Sequence, residues 1–109
     1  MLTTPSVRRA EIGHYVRYLE PGVPTLVAGD FNESEDGGAL RQLEKSGFRS
    51  ALPDFSEADT WRWRTSIGTV TRRFDHVAYS SDLDVLAARV VLAGRSDHLP
   101  VLVVITRRP

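Results

Sequence analysis

Acidic, amide and imidazole side chains recur in three short clusters of this chain: Gly29-Asp30-Phe31-Asn32, Arg73-Phe74-Asp75-His76 and Ser96-Asp97-His98-Leu99-Pro100-Val101. A carboxylate such as Asp97 is a hard oxygen donor, suited to Mg²⁺ or Mn²⁺. The imidazole of His98 titrates near neutral pH and can move a proton. Each cluster falls at the start or end of an expected strand, where side chains converge at one edge of a sheet. Taken singly, each cluster also reads as an ordinary turn, helix cap or surface ion pair. Their combination, in this order, is what points to a site.

The elements that must position them can be read from spacing. Thr4-Pro5 opens a first helix, with Thr4 as N-cap and Pro5 at the first helical position. Ile12, Tyr15, Val16 and Leu19 then form one apolar stripe, and Pro21-Gly22 ends the helix. Thr25 to Gly29 reads as a short buried strand that runs into Asp30-Phe31-Asn32. A polar loop from Glu33 to Gly38 leads to a second helix, with Leu40 and Leu43 toward the core and Gly47 as its left-handed stop. Strands are expected over Thr60–Arg64, Phe74–Ser80, Val85–Ala93 and Pro100–Thr106; the Leu-Ala-Ala-Arg stretch of the third is also compatible with helix. In the last strand Val101, Val103 and Ile105 point to one face, and Leu102 and Val104 to the other. Such a strand is buried on both sides. Two helices can cover one face of its sheet, which leaves the other calling for a partner.

The chain has 109 residues, the size of a single domain spanning 1–109. It contains no cysteine, which excludes disulfides, thiolate metal sites and cysteine nucleophiles. No run approaches the roughly 18 apolar residues of a membrane span, and Met1 to Arg9 carry no apolar leader core. A soluble cytoplasmic protein, without a membrane partner, is the expectation. Net charge is zero, which argues against a broad non-specific grip on nucleic acid. All but one of the fourteen basic residues are arginine, Lys45 being the exception; arginine suits bidentate phosphate contacts, although genomic base composition also raises its share.

Gly-Asp-Phe-Asn, then Arg-x-Asp, then Ser-Asp-His-x-Pro-Val, preceded by the arginine-bearing helix Val7 to Ile12, resembles the endonuclease/exonuclease/phosphatase family over nearly the whole chain. The resemblance implies an α/β (α+β) fold. It would be half of a four-layer sandwich, with one mostly antiparallel mixed sheet and helices on one face. It implies hydrolysis of a phosphate ester or nucleic acid with Mg²⁺ or Mn²⁺. In that reading Asp75 orients His98 and stabilises its imidazolium, and either His98 or Asp30 is the base that activates water. Asn32 would donate to a non-bridging phosphate oxygen, where negative charge grows in the transition state. Asp97 would be the metal ligand, neutralising the phosphate and the leaving oxygen. Trp61, Arg62, Trp63 and Arg64 stand where the family carries a substrate-facing loop, although both tryptophans can equally pack one sheet face. His76, in a position where tyrosine is usual, and His14 are read as structural.

The family's N-terminal half brings an asparagine, a metal-binding glutamate and a second histidine, and nothing before Val7 supplies them. The chain is therefore expected to be a fragment, to pair with a separate N-terminal half, or to form a homodimer sheet to sheet. The alternative is a non-catalytic interaction module derived from the same fold.

Overall fold

A computed structural model of the chain describes residues 4–109. The element order is α1 (Pro5–Val16), β1 (Leu26–Asp30), α2 (Gly38–Lys45), β2 (Arg49–Ser50), β3 (Trp61–Thr65), β4 (Gly68–Arg72), β5 (Asp75–Tyr79), β6 (Leu83–Val90) and β7 (Val101–Arg107). The Thr4 start and the Gly47 stop act as expected, whereas α1 ends at Val16, ahead of Pro21-Gly22, and leaves Leu19 beyond the helix. The Thr4 hydroxyl accepts the Val7 amide at 3.2 Å, and Gly47 follows α2 at φ 90°, where a side chain would be strained.

Strand pairing is antiparallel throughout the described residues, in three sheets ordered β1-β5-β2, β3-β4 and β6-β7. The α+β class and the antiparallel pairing agree with expectation. The strands fall into three sheets and not one mixed sheet. Thr65 pairs Gly68 across a two-residue loop, and a register shift between Val85 and Ala87 breaks the β6 ladder. Two strands carried no apolar signal. β4 is Gly-Thr-Val-Thr-Arg with only Val70 half-buried, and β2 is two residues long.

The helices lie on one face of the first sheet. Val27 stands directly opposite Ala78, and both join the cluster of Leu40, Leu43, Phe48, Ile12, Val16, Leu19 and Phe31. Tyr15 leaves the expected stripe: it is 56% exposed, and it borders an open groove between α1 and β1 with Ile12, Val27 and Ala28. Because side chains alternate along a strand, Leu26, Ala28 and Asp30 project from the opposite, helix-free face. Their register partners there are Tyr79, Val77 and Asp75. A second cluster joins Ala51, Tyr79 and Leu83 to Val77, Val85, Val103 and Ile105. Leu102 and Val104, on the other side of β7, are each 46% exposed. No helix among the described residues is long and apolar enough to cross a membrane.

Candidate functional site

The register of β1 against β5 sets Asp30 directly across from Asp75, on the face that the helices leave open. Like charges opposite one another in a sheet repel, and the loop before β7 brings beside the pair an imidazole that can carry positive charge. His98 Nδ1 lies 2.7 Å from Asp75 Oδ2, and His98 Nε2 lies 3.6 Å from Asp30 Oδ2. Nδ1 therefore donates to the Asp75 carboxylate, and Nε2 faces Asp30. The hydrogen bond to Asp75 is the main cause that raises the His98 pKa above its ordinary value; partial burial opposes it, and the charges of Asp75, Asp30 and Asp97 reinforce it. Asp30, Asp75 and His98 offer ligand atoms within 4.8 Å of one another, a group that could hold a metal ion.

Several residues hold these three in place, and few of them were recognisable in the sequence. Thr60 is fully buried. Its hydroxyl accepts the amides of Phe74 and Asp75, each at 3.0 Å, while its carbonyl accepts the Leu99 amide at 2.6 Å. One residue, through its hydroxyl and its backbone carbonyl, thus ties the start of β5 to the residue after His98. Asn32 sits at φ 55°, a left-handed conformation that asparagine tolerates. Its amide donates to Asp30 Oδ1 at 2.8 Å, closing the turn that presents Asp30.

Behind that turn, Glu33 is buried and accepts from Arg8 Nε at 2.7 Å and from the Ala39 amide, which anchors α1 and the first turn of α2 to one carboxylate. Arg73, of the second cluster, donates to Glu35 and to the carbonyls of Ser56 at 2.5 Å and Ala58 at 3.0 Å. His76 is structural, as its strand position implied. It is 1% exposed, and its Nε2 donates to the Glu33 carbonyl at 2.6 Å. The proton therefore sits on Nε2, and Nδ1 has no partner among the described residues.

The remaining expected residues fall around this centre. Asp97 lies outside the Asp30–Asp75–His98 group; it is exposed, and its Oδ2 accepts from Trp61 Nε1 at 3.2 Å. Trp61 itself packs 5.2 Å from the ring of Phe74, so it is a framework residue. Trp63 is 55% exposed, and Arg62 and Arg64 are exposed beside it. Asn32 is exposed at the mouth of a groove of about 790 Å³ that Asp30 and Arg8 also line. His14 lies on α1 against Tyr15 and Tyr18, with no part in the site. Thr60 and Glu33 were missed because nothing in their type or spacing separates them from an ordinary strand start and an ordinary polar loop.

Sequence comparison matches residues 5–98 to the Endonuclease/Exonuclease/phosphatase family. No curated protein matches the chain. Among solved structures, a mannosyl-6-phosphatase from Bacteroides thetaiotaomicron aligns with a TM-score of 0.65 at 18% identity, covering 94% of this chain and 44% of that one. An endonuclease/exonuclease/phosphatase family protein from the same organism aligns with a TM-score of 0.60 at 18% identity, covering 89% and 42%. The chain thus spans less than half the length of either structure.

Proposed function

The chain belongs to the endonuclease/exonuclease/phosphatase family, and from that premise we propose that Asp30, Asp75 and His98 are the hydrolytic centre of a divalent-metal-dependent phosphoesterase. The observation that carries the reading is His98 held at 2.7 Å by Asp75 with its free nitrogen 3.6 Å from Asp30. His98 takes a proton from the attacking water. Asp75 fixes the tautomer and stabilises the imidazolium that results, while Asp30 orients the water. Asn32 donates to a non-bridging oxygen of the phosphate.

Carboxylate oxygens are the donors that suit Mg²⁺ or Mn²⁺, and Asp30 and Asp75 are the residues that would hold the ion, with His98 left as the base. Such a cation would neutralise charge on the phosphate. Asp97 adds negative charge nearby without joining the donor group. The mannosyl-6-phosphatase likeness supports a sugar phosphate as substrate, and exposed Trp63 with Arg62 and Arg64 supports a nucleic acid. The reading assumes a cytoplasmic setting.

A second polypeptide would extend the apolar core, because Leu26 and the outer side of β7 stay exposed. Leu26, Leu102 and Val104 are each 46% exposed. Full burial of such a side chain is worth roughly 1.5–3 kcal/mol, so each forgoes about half of that, against a total domain stability of about 5–15 kcal/mol. A homodimer joined sheet to sheet covers them most economically, since closed two-fold pairs are the commonest self-assembly. A separate N-terminal half would cover them too.

Hydrolysis of a nitrophenyl phosphodiester with Mg²⁺ tests the assignment. His98→Ala lowers the rate by roughly 10²–10⁴, and His14→Ala does not. Equal rates in the two variants would overturn it.

A further inference from the structure

We propose that His76 is a positioning residue for the hydrolytic centre: through the Glu33 carbonyl and the Phe31 ring it fixes the turn that carries Asp30 and Asn32, as its neighbour Asp75 fixes His98. The inference rests on the hydrolytic reading of the Asp30–Asp75–His98 centre and adds the residue that aligns the other half of it.

The Asp30–Asn32 turn cannot hold itself. Asn32 sits at φ 55°, a region that residues with a Cβ occupy when their surroundings impose it. The bond that closes the turn, from the Asn32 amide to Asp30 Oδ1, is exposed, and 48% of the Asp30 side chain is open to solvent. Water competes for such a bond, so its net contribution is small. The order of Asn32 must therefore come from the residues on either side of it.

His76 holds both. On one side of Asn32, the imidazole Nε2 donates to the Glu33 carbonyl at 2.6 Å, where His76 is 1% and Glu33 8% exposed. Water cannot take over that bond without opening the core. On the other side, the Phe31 ring meets the imidazole edge to face, with centroids 5.5 Å apart, and the Phe31 amide donates to the Phe74 carbonyl at 2.8 Å. The Glu33 carboxylate is tied separately, to Arg8 and to the Ala39 amide. Those bonds hold the end of a side chain with several rotatable bonds. Among the described residues, only the imidazole bonds to the main chain of Glu33.

Successive residues of a strand point to opposite faces. Asp75 turns to the open face and takes His98 Nδ1 at 2.7 Å. His76 turns to the helix side and takes the turn. One dipeptide of β5 thus aligns the imidazole on one hand and Asp30 with Asn32 on the other. A residue at position 76 that served packing alone would need no donor, and an apolar one would leave the Glu33 carbonyl buried and unbonded.

The test reads the turn directly and catalysis separately. Amide ¹⁵N relaxation should give Asn32 an order parameter of about 0.85 in the native chain and below about 0.6 in His76→Leu. Val27, in the middle of β1, should keep its native value in both. His76→Gln retains a donor at the Nε2 position and should return Asn32 to the rigid range. Where His76→Leu does not fold, His76→Phe removes the donor, keeps a ring against Phe31 and is measured in its place. Nitrophenyl phosphodiester hydrolysis with Mg²⁺ is then followed under conditions in which each variant is fully native. There His76→Leu should lower kcat by at least roughly tenfold and change KM by no more than about twofold, as loss of a transition-state interaction does. His76→Gln should recover most of that rate. An Asn32 as rigid in His76→Leu as in the native chain would overturn the proposal, and so would a native kcat in the folded variant. A native chain without hydrolysis would count against the hydrolytic reading, and the order parameters would still decide whether His76 sets the turn.

Discussion

Gly37 is where the framework behind the site can be broken with one methyl group. Its backbone is extended, at φ −72°, so alanine fits the conformation. The obstacle is Glu33: a Cβ at residue 37 would lie 2.5 Å from Glu33 Cδ and 2.7 Å from Cγ. A flexible glutamate would move aside. This one is 7% exposed, bonded to Arg8 and to the Ala39 amide at the start of α2, so moving it breaks both contacts. A hydrogen bond to a charged group is worth about 1.5–3 kcal/mol, and the bond at the helix start about 0.5–2 kcal/mol. Alanine returns about 0.4–1 kcal/mol by restricting the unfolded chain. Gly37→Ala should therefore lose about 1–4.5 kcal/mol, seen in urea unfolding as a lower midpoint with unchanged slope. In a Glu33→Ala background the obstacle is gone, and Gly37→Ala should be neutral or slightly stabilising. A neutral Gly37→Ala in the native background, or an equal loss in both backgrounds, would refute the reasoning.

Three further outcomes follow from the same contacts. Asp75 raises the His98 pKa, so an NMR titration should place the His98 midpoint above the ordinary histidine value, and Asp75→Asn should lower it. Because the folded pKa is the higher one, the stability this pair contributes is present below the ordinary histidine pKa and is lost as pH rises through the folded value. His76→Leu strands the buried Glu33 carbonyl and should lose about 1–3 kcal/mol in urea unfolding, whereas His76→Gln, which keeps a donor at the Nε2 position, should recover most of it. Sedimentation equilibrium at micromolar concentration should find a dimer, and a well-folded monomer would contradict pairing through the open sheet faces.

Much of the fold was legible because it is written in periodic or terminal signals. Thr4-Pro5, Gly47 and the alternating strand around Val103 each carry a local physical requirement, and each element formed where that requirement placed it. The β3–β4 hairpin was half seen, since Trp61 and Trp63 alternate but Gly68 to Arg72 has no apolar pattern to detect. At the site, Asp30, Asp75 and His98 were legible from motif order, and strand register brings them together. Asp97 was expected as a ligand, yet the bend that aims His98 at Asp75 turns Asp97 toward the Trp61 indole. Thr60, Glu33 and Gly37 were invisible because their roles depend on contacts between segments distant along the chain or on one close approach. Only the folded structure displays those.

The central claim is that Asp75 and His98 act as one catalytic unit, and a double-mutant cycle on the Mg²⁺-dependent hydrolysis rate tests it most directly. Asp75→Asn, His98→Ala and the double variant are compared with the native chain, using the nitrophenyl phosphodiester. Each single substitution should lower the rate by roughly 10²–10⁴, and the double variant should lose little more than the worse single one, as residues that work together do. Losses that multiply, or a native rate in His98→Ala, would contradict the account.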